Sequence, residues 1–282
     1  MLKFFLYSLV LIALIFISIL FYGHYSFNKQ VDNEVADMLA MVEGERAEIV
    51  SEEAVIQLPE PVQRWLYFSG VVGKPKVLAV RLKQEGRFRQ TPQQEWMPFT
   101  AEEYYITALP AFIWKADIKA GPLFRISARD RLDGAEGNML IRLLSLFTIA
   151  DAYGEEINRG SLMRYLDEII WFPSAAVSEH ILWEPVDDDS AQATISYGGL
   201  SVTARFFFDE AGRVVNIVTE RYRDEGGRFS AERWSTPILE YGEFDGLRLP
   251  VRGKAVWHLQ NGDFEYFDAR VTAIEYNRME PF

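Results

Sequence analysis

The chain contains no cysteine and only three histidines, His24, His180 and His258, among its 282 residues. Disulfides, thiolate metal centres and a cysteine nucleophile are thereby excluded, and no two histidines stand at a spacing that would share a zinc ion. A phosphate-binding P-loop and the GxGxxG, HExxH and GxSxG signatures are missing as well, so nothing points to nucleotide, zincin or α/β-hydrolase chemistry. Positive charge is scarce: 29 Lys and Arg stand against 41 Asp and Glu. Nucleic acid, held by cationic contacts to phosphate, is not an expected partner. Asp187-Asp188-Asp189 lacks the spacing and turn glycine of a calcium loop and reads as an exposed turn. No cofactor and no metal is expected.

Charge is absent altogether from Phe4 to Tyr22. As a helix that stretch would span about 28 Å, close to a hydrocarbon core of about 30 Å. The exit Phe21-Tyr22-Gly23-His24-Tyr25 offers no small-x-small cleavage site, and Tyr22 and Tyr25 suit an interfacial aromatic belt. Residues 1–25 are therefore expected to be an uncleaved single-pass transmembrane anchor. Lys3 and the terminal amine place the amino end inside, which puts the chain in the inner (cytoplasmic) membrane with its C-terminal domain in the periplasm or extracellular. Residues 26–57 are expected to form an acidic helical stalk: Val31, Val35, Met38, Leu39 and Val42 recur at helical spacing, and eight acidic residues face one basic residue, Arg46, between Asp32 and Glu53. An exposed, solvated stalk is the reading of that charge.

The rest, residues 58–282, reads as one domain. Pro59 and Pro61 suit the first turn of a short helix, and Gly70 suits its left-handed cap. Beyond Gly73 the hydrophobic period changes from 3.6 to 2, predicting strands over Val77–Arg89, Phe99–Thr107, Phe112–Ala120 and Leu123–Arg131. Met139–Ala150 is apolar on every side, so it either threads the core or lines an apolar cavity. Asn158–Pro173 reads as a central helix capped by Asn158 or Ser161 and stopped by Pro173, with Arg164, Asp167, Glu168 and Trp171 opposite its apolar half. Strands resume at Ala191–Tyr197, Leu200–Phe208, Val214–Tyr222, Arg233–Tyr241 and Val251–Leu259, and Asn261-Gly262 marks a hairpin into Phe264–Tyr276. The predicted fold class is α+β: a transmembrane helix followed by a large curved antiparallel sheet, a half-barrel wrapped round inserted helices.

Candidate site residues come from two patterns. Alternation between residues 123 and 131 puts Arg125, Arg129 and Arg131 on one face of a strand; that face is either solvated or brings an arginine to an anionic headgroup at the mouth of an apolar cavity. Arg164 belongs to the same arginine set. Converging aromatics supply the cavity walls, so the candidate ligand-binding residues are Trp114, Arg129, Phe147, Arg164, Trp171, Phe172 and Trp183. Trp171 either contacts ligand or packs beneath a loop, and no catalytic residue is assigned.

The blocks LPEPVQRW…SG at Leu58–Gly70, ARDR at Ala128–Arg131, RYL at Arg164–Leu166, WFP at Trp171–Pro173 and WEP at Trp183–Pro185 resemble a bacterial family of unknown function. The ending YGEFDGLRLPVRG…FDARVTAIEYN, Tyr241–Asn277, is similar to the final strands of LolA-like lipoprotein carriers and related periplasmic proteins. That resemblance implies an unclosed barrel around helices and an apolar ligand cavity. Carriers of that class are soluble, whereas this chain is tethered, so the version it implies here is presentation of a lipid or lipoprotein at one membrane. The expected function is a membrane-tethered extracytoplasmic binding module for a lipid, lipidated or other apolar ligand. An enzyme acting on a lipid-like or glycan substrate through Asp130, Asp151 or Glu168 is the alternative, as is a structural protein of cell-envelope assembly.

Overall fold

The first helix, α1, runs unbroken from Leu2 to Ala40, well past the uncharged stretch. The computed structural model describes residues 2–122, 124–224 and 226–282. Most side chains from Phe4 to Tyr22 project away from the rest of the molecule and are exposed, as the lipid-facing part of a helix long and apolar enough to cross a membrane would be. Past Gly23 the helix becomes one-sided. Phe27, Val31, Val35, Met38 and Leu39 are buried against Tyr104, Ile106, Ile113 and Leu140 of the sheet. The segment expected to stand exposed as a stalk is instead docked, because an apolar stripe at helical spacing is stabilised only by a partner surface. Two short helices follow, α2 (Glu52–Val55) and α3 (Glu60–Ser69), the latter closed by Gly70 at φ 77°.

Among the described residues the sheet has fourteen antiparallel strands. One meander comprises β1 (Ala79–Phe88), β2 (Met97–Ile106), β3 (Ala111–Lys119), β4 (Arg125–Asp133), β5 (Glu136–Leu143) and β6 (Phe147–Ala152). Leu123, the first residue of the strand expected at 123–131, lies outside the described residues. A helix, α4 (Glu155–Glu168), then leads to β7 (Ile181–Asp187), β8 (Ser190–Tyr197), β9 (Leu200–Phe208), β10 (Val214–Asp224), β11 (Phe229–Ser235), β12 (Ile238–Phe244), β13 (Leu247–Leu259) and β14 (Gly262–Tyr276). The two halves join where β14 lies between β1 and β13. Helix α4 packs on β4 and β5 at one arm and on β8, β9 and β10 at the other, so the sheet curls round it as a half-barrel. Among the described residues the outermost strands, β6 and β7, end the sheet without pairing to each other.

Met139–Ala150 proves to be a hairpin, turned by Leu144 and Ser145 at φ 53° and 59°. Its doubly apolar character has a simple cause: Leu140 packs outward near α1, while Met139 and Ile141 face the interior. Thr236-Pro237 splits the strand expected at Arg233–Tyr241 into β11 and β12, since proline cannot donate to the ladder. The central helix starts earlier than expected, at Gly154-Glu155, with two glutamates favourably placed in its first turn. Asn158 does not cap it; its Oδ1 accepts from the Gly137 backbone N–H at 2.8 Å and stitches the helix to β5. The helix tightens into one 3-10 turn at Ile169–Trp171, and Phe172 leaves the helical region before Pro173.

Candidate functional site

Between α4 and the inner faces of both arms lies a cavity of about 540 Å³, within the usual range of about 300–1,000 Å³ for small-molecule sites. Ile118, Ile126, Met139 and Ile141 from the first arm and Val251, Ala255 and Val271 from the second give it apolar walls. The alternation of each strand delivers these side chains inward, and α4 supplies a polar floor.

That floor centres on Arg164. Its Nη2 donates to Glu103 at 2.7 Å, its Nη1 to Asp130 at 2.9 Å and its Nε to Glu168 at 2.8 Å. The guanidinium also lies 5.0 Å from the Phe112 ring centre and 5.1 Å from that of Trp114. Tyr105 donates to the second oxygen of Glu168 at 3.0 Å, and Gln84 links Trp114 to Glu103, accepting from the indole at 3.0 Å and donating at 3.2 Å. One positive charge thus faces three buried carboxyls. Burial drives the Glu103 carboxyl well above its ordinary value and raises that of Glu168, against the pull of Arg164. Beside them Asp167 accepts from Thr236 at 2.5 Å, and burial pushes its carboxyl up to about 7.

Of the seven residues named from sequence, Trp114, Arg164 and Trp171 line this cavity. Trp171 also donates to the Pro250 carbonyl at 3.1 Å, tying the end of the helix to β13. Phe172 is fully buried against Tyr105 and Tyr165, with ring centres 4.9 and 5.6 Å away, and belongs to the core. Trp183 packs in the core against Phe206 and Trp65 and donates to the Ala176 carbonyl. Phe147 sits on the edge strand with its ring exposed. Arg129 points to the other side of the sheet, where it meets Glu34 of α1 at 3.1 Å and bonds to Asn138. Asp151 also lies on that outer side, accepting from Asn138 at 2.9 Å. Arg164 itself is already matched by carboxyls, with each of its three nitrogens donating to one of them.

Two arginines that the sequence reading passed over are better placed. Arg89 donates to the carbonyls of Glu265 and Pro92 and stacks on Trp96 and Phe264. Arg221 donates to the Gly160 carbonyl and lies over Trp234. Both line the cavity, and neither forms an ion pair among the described residues. Their strands gave little warning, since arginine at a strand end is usually solvated. Glu103 and Gln84 did carry a legible signal: each occupies the inward register of an otherwise apolar strand face, after Ala101 and Leu82.

Comparison with known proteins gives a family and a distant structural likeness. Residues 48–269 match the model of a family of unknown function, DUF6544. The crystal structure of a LolA superfamily protein from Nitrosomonas europaea aligns with a TM-score of 0.43 at 8% identity, covering 77% of this chain and 92% of that one. No curated protein matches in sequence.

Proposed function

The chain belongs to the family of unknown function DUF6544, and we propose that it is a membrane-tethered binding module for an anionic amphiphile such as a lipid or lipidated molecule. The observation that carries this reading is the cavity itself: apolar walls suited to an acyl chain, with the guanidinium groups of Arg89 and Arg221 on its lining and neither in an ion pair among the described residues. A planar donor fork is well matched to carboxylate or phosphate. In this reading α1 anchors the chain in the inner membrane, with the domain in the periplasm or outside the cell; an alkaline phosphatase fusion after Phe282 is then active.

Binding is tested on the full chain in nanodiscs with two probes, a pyrene-labelled fatty acid and the corresponding pyrene-labelled alcohol. The wild type takes up both. Changing Arg89 and Arg221 together to glutamine lowers affinity for the acid about tenfold or more, as loss of a charge-assisted hydrogen bond does, and leaves the alcohol unaffected. A wild type that takes up neither probe sinks the proposal.

One observation favours a second reading, an enzyme on a lipid-like or glycan substrate. Asp167, with its carboxyl raised to about 7, stands beside Glu168 in the cavity, and carboxyls held near neutrality suit general acid–base work. That reading fails if purified protein turns over no fluorogenic ester or glycoside above background.

A further inference from the structure

The direction of the cavity relative to the membrane follows from where the sheet touches α1. Gly23 directly follows the 4–22 stretch of spanning length, and a Cβ built there would stand 2.3 Å from Cδ2 of Leu146, in the turn between β5 and β6. That turn therefore presses against the helix one residue, or about 1.5 Å, beyond the 4–22 stretch whose length suits a hydrocarbon core. The strand pairing brings other parts of the molecule to the same level. Phe99, Ile118, Ile126, Leu143 and Phe147 are successive cross-strand partners and form one row on the inner face. Ile118 and Ile126 of that row are cavity wall, whereas Phe147 at its end is 62% exposed, with Ile149 at 58% and Phe124 in the neighbouring turn at 54%. Cations flank the same edge: Lys119 pairs with Arg125 across the β3–β4 turn, and Lys29 stands over Tyr25 on α1.

From this arrangement we infer that the tips of the β3–β4 and β5–β6 hairpins dip into the surface of the bilayer that holds α1, so that the cavity opens onto the leaflet and exchanges its amphiphile with it laterally. The inference rests on the anchored-module reading. Exposed aromatic and branched side chains at the interfacial level lower their free energy by entering the headgroup–acyl boundary, and the flanking cations favour anionic lipid. The cavity wall then continues into the leaflet without a water-filled step. An acyl chain passing along Phe147, Ile126 and Ile118 stays in apolar surroundings throughout.

The absence of cysteine makes the test direct. Single cysteines replace Phe16 in the anchor, Phe147 and Phe124 at the tips, and Glu210 in the β9–β10 turn at the far end of β10, each in the full chain and each labelled with bimane. The proteins are reconstituted into phosphatidylcholine–phosphatidylglycerol vesicles carrying a doxyl quencher near the headgroup. Labels at 147 and 124 are expected to be quenched and blue-shifted, and the label at 210 unaffected. If the label at 16 is quenched and those at 147 and 124 are not, the anchor stands and the tips face solvent or a partner protein, which overturns the inference alone. If the label at 16 is also unquenched, the anchored-module reading falls and takes this inference with it.

Discussion

On β2, β3 and β4, neighbouring residues turn to opposite faces and enter two different charged networks. Glu103, Trp114 and Asp130 face inward to Arg164, whereas Glu102, Lys115 and Arg129 face outward to α1. Outside, Lys115 meets Asp32 at 2.8 Å and Glu102 at 3.0 Å, and Arg129 meets Glu34. Lys83 reaches Glu102 as well, at 4.0 Å, so three cations serve three acids, and Asp32 and Glu34 keep some contact with water. Inside, a single guanidinium serves three carboxyls with almost none. Strand alternation alone creates both networks; access of water decides what each becomes. The outer one is an adhesive between helix and sheet, while the inner one retains protons.

The sharpest way to break this contrast is Arg164→Gln. It leaves Glu103, Asp130 and Glu168 buried without their common cation, and the expected loss is about 3–5 kcal/mol, as for one partner of a buried pair. Chemical denaturation of the detergent-solubilised chain reads it; a loss no larger than that of an outer-face variant would mean the inner carboxyls are already neutral. The second test follows pH. Burial pushes the Asp167 carboxyl up to about 7 in the folded chain, against an ordinary value of 3.8. A carboxyl whose folded value is raised holds its proton more tightly when folded, so its contribution to stability falls as pH rises from about 4 to about 7 and stays low above. Asp167→Asn, which keeps an acceptor for Thr236, is expected to remove that share of the slope, up to roughly 4 kcal/mol between the two limits. Glu103 and Glu168 shift in the same direction, so some slope remains. An unchanged slope in the variant would remove Asp167 from the inner network. The smallest effect belongs to Glu34→Gln on the outside. About 1 kcal/mol is expected for this partly solvated pair, seen as faster amide hydrogen exchange over residues 26–40 with the sheet unaffected.

Alternation made the sheet legible: the strands from β1 to β4 and from β8 to β10 fall close to their expected bounds because each buries one face. The same parity correctly separated Arg129 from Asp130. What it left open is which face looks inward, and that is how Arg129 came to be placed at the cavity when it belongs to the outside. The polar half of α4 misled for a related reason. Arg164, Asp167 and Glu168 have the pattern of a solvated stripe, and only partners remote in sequence turn it into a buried one: Glu103, Tyr105 and Asp130 from the first arm and Thr236 from beyond β11. Phe172 and Trp183 show the limit of composition: a large aromatic fills a core and lines a cavity with equal ease. The acidic stretch after the anchor read as solvation because its partners, Lys115 and Arg129, are remote in sequence.

The place of β14 in the sheet has a consequence for how the chain reaches its fold. β1 to β6 are joined in sequence order, and so are β7 to β11, and each run can pair locally soon after it is made. The seam between them is closed by the β1–β14 pair, which matches Val80 with Tyr276. A contact between residues so far apart carries a large loop-closure entropy and slows folding. Until β14 is in place, β1 remains an open edge and the inward faces of both runs lack their cover. During that interval the two unfinished halves have their apolar faces bare, the stage at which aggregation or a chaperone would act.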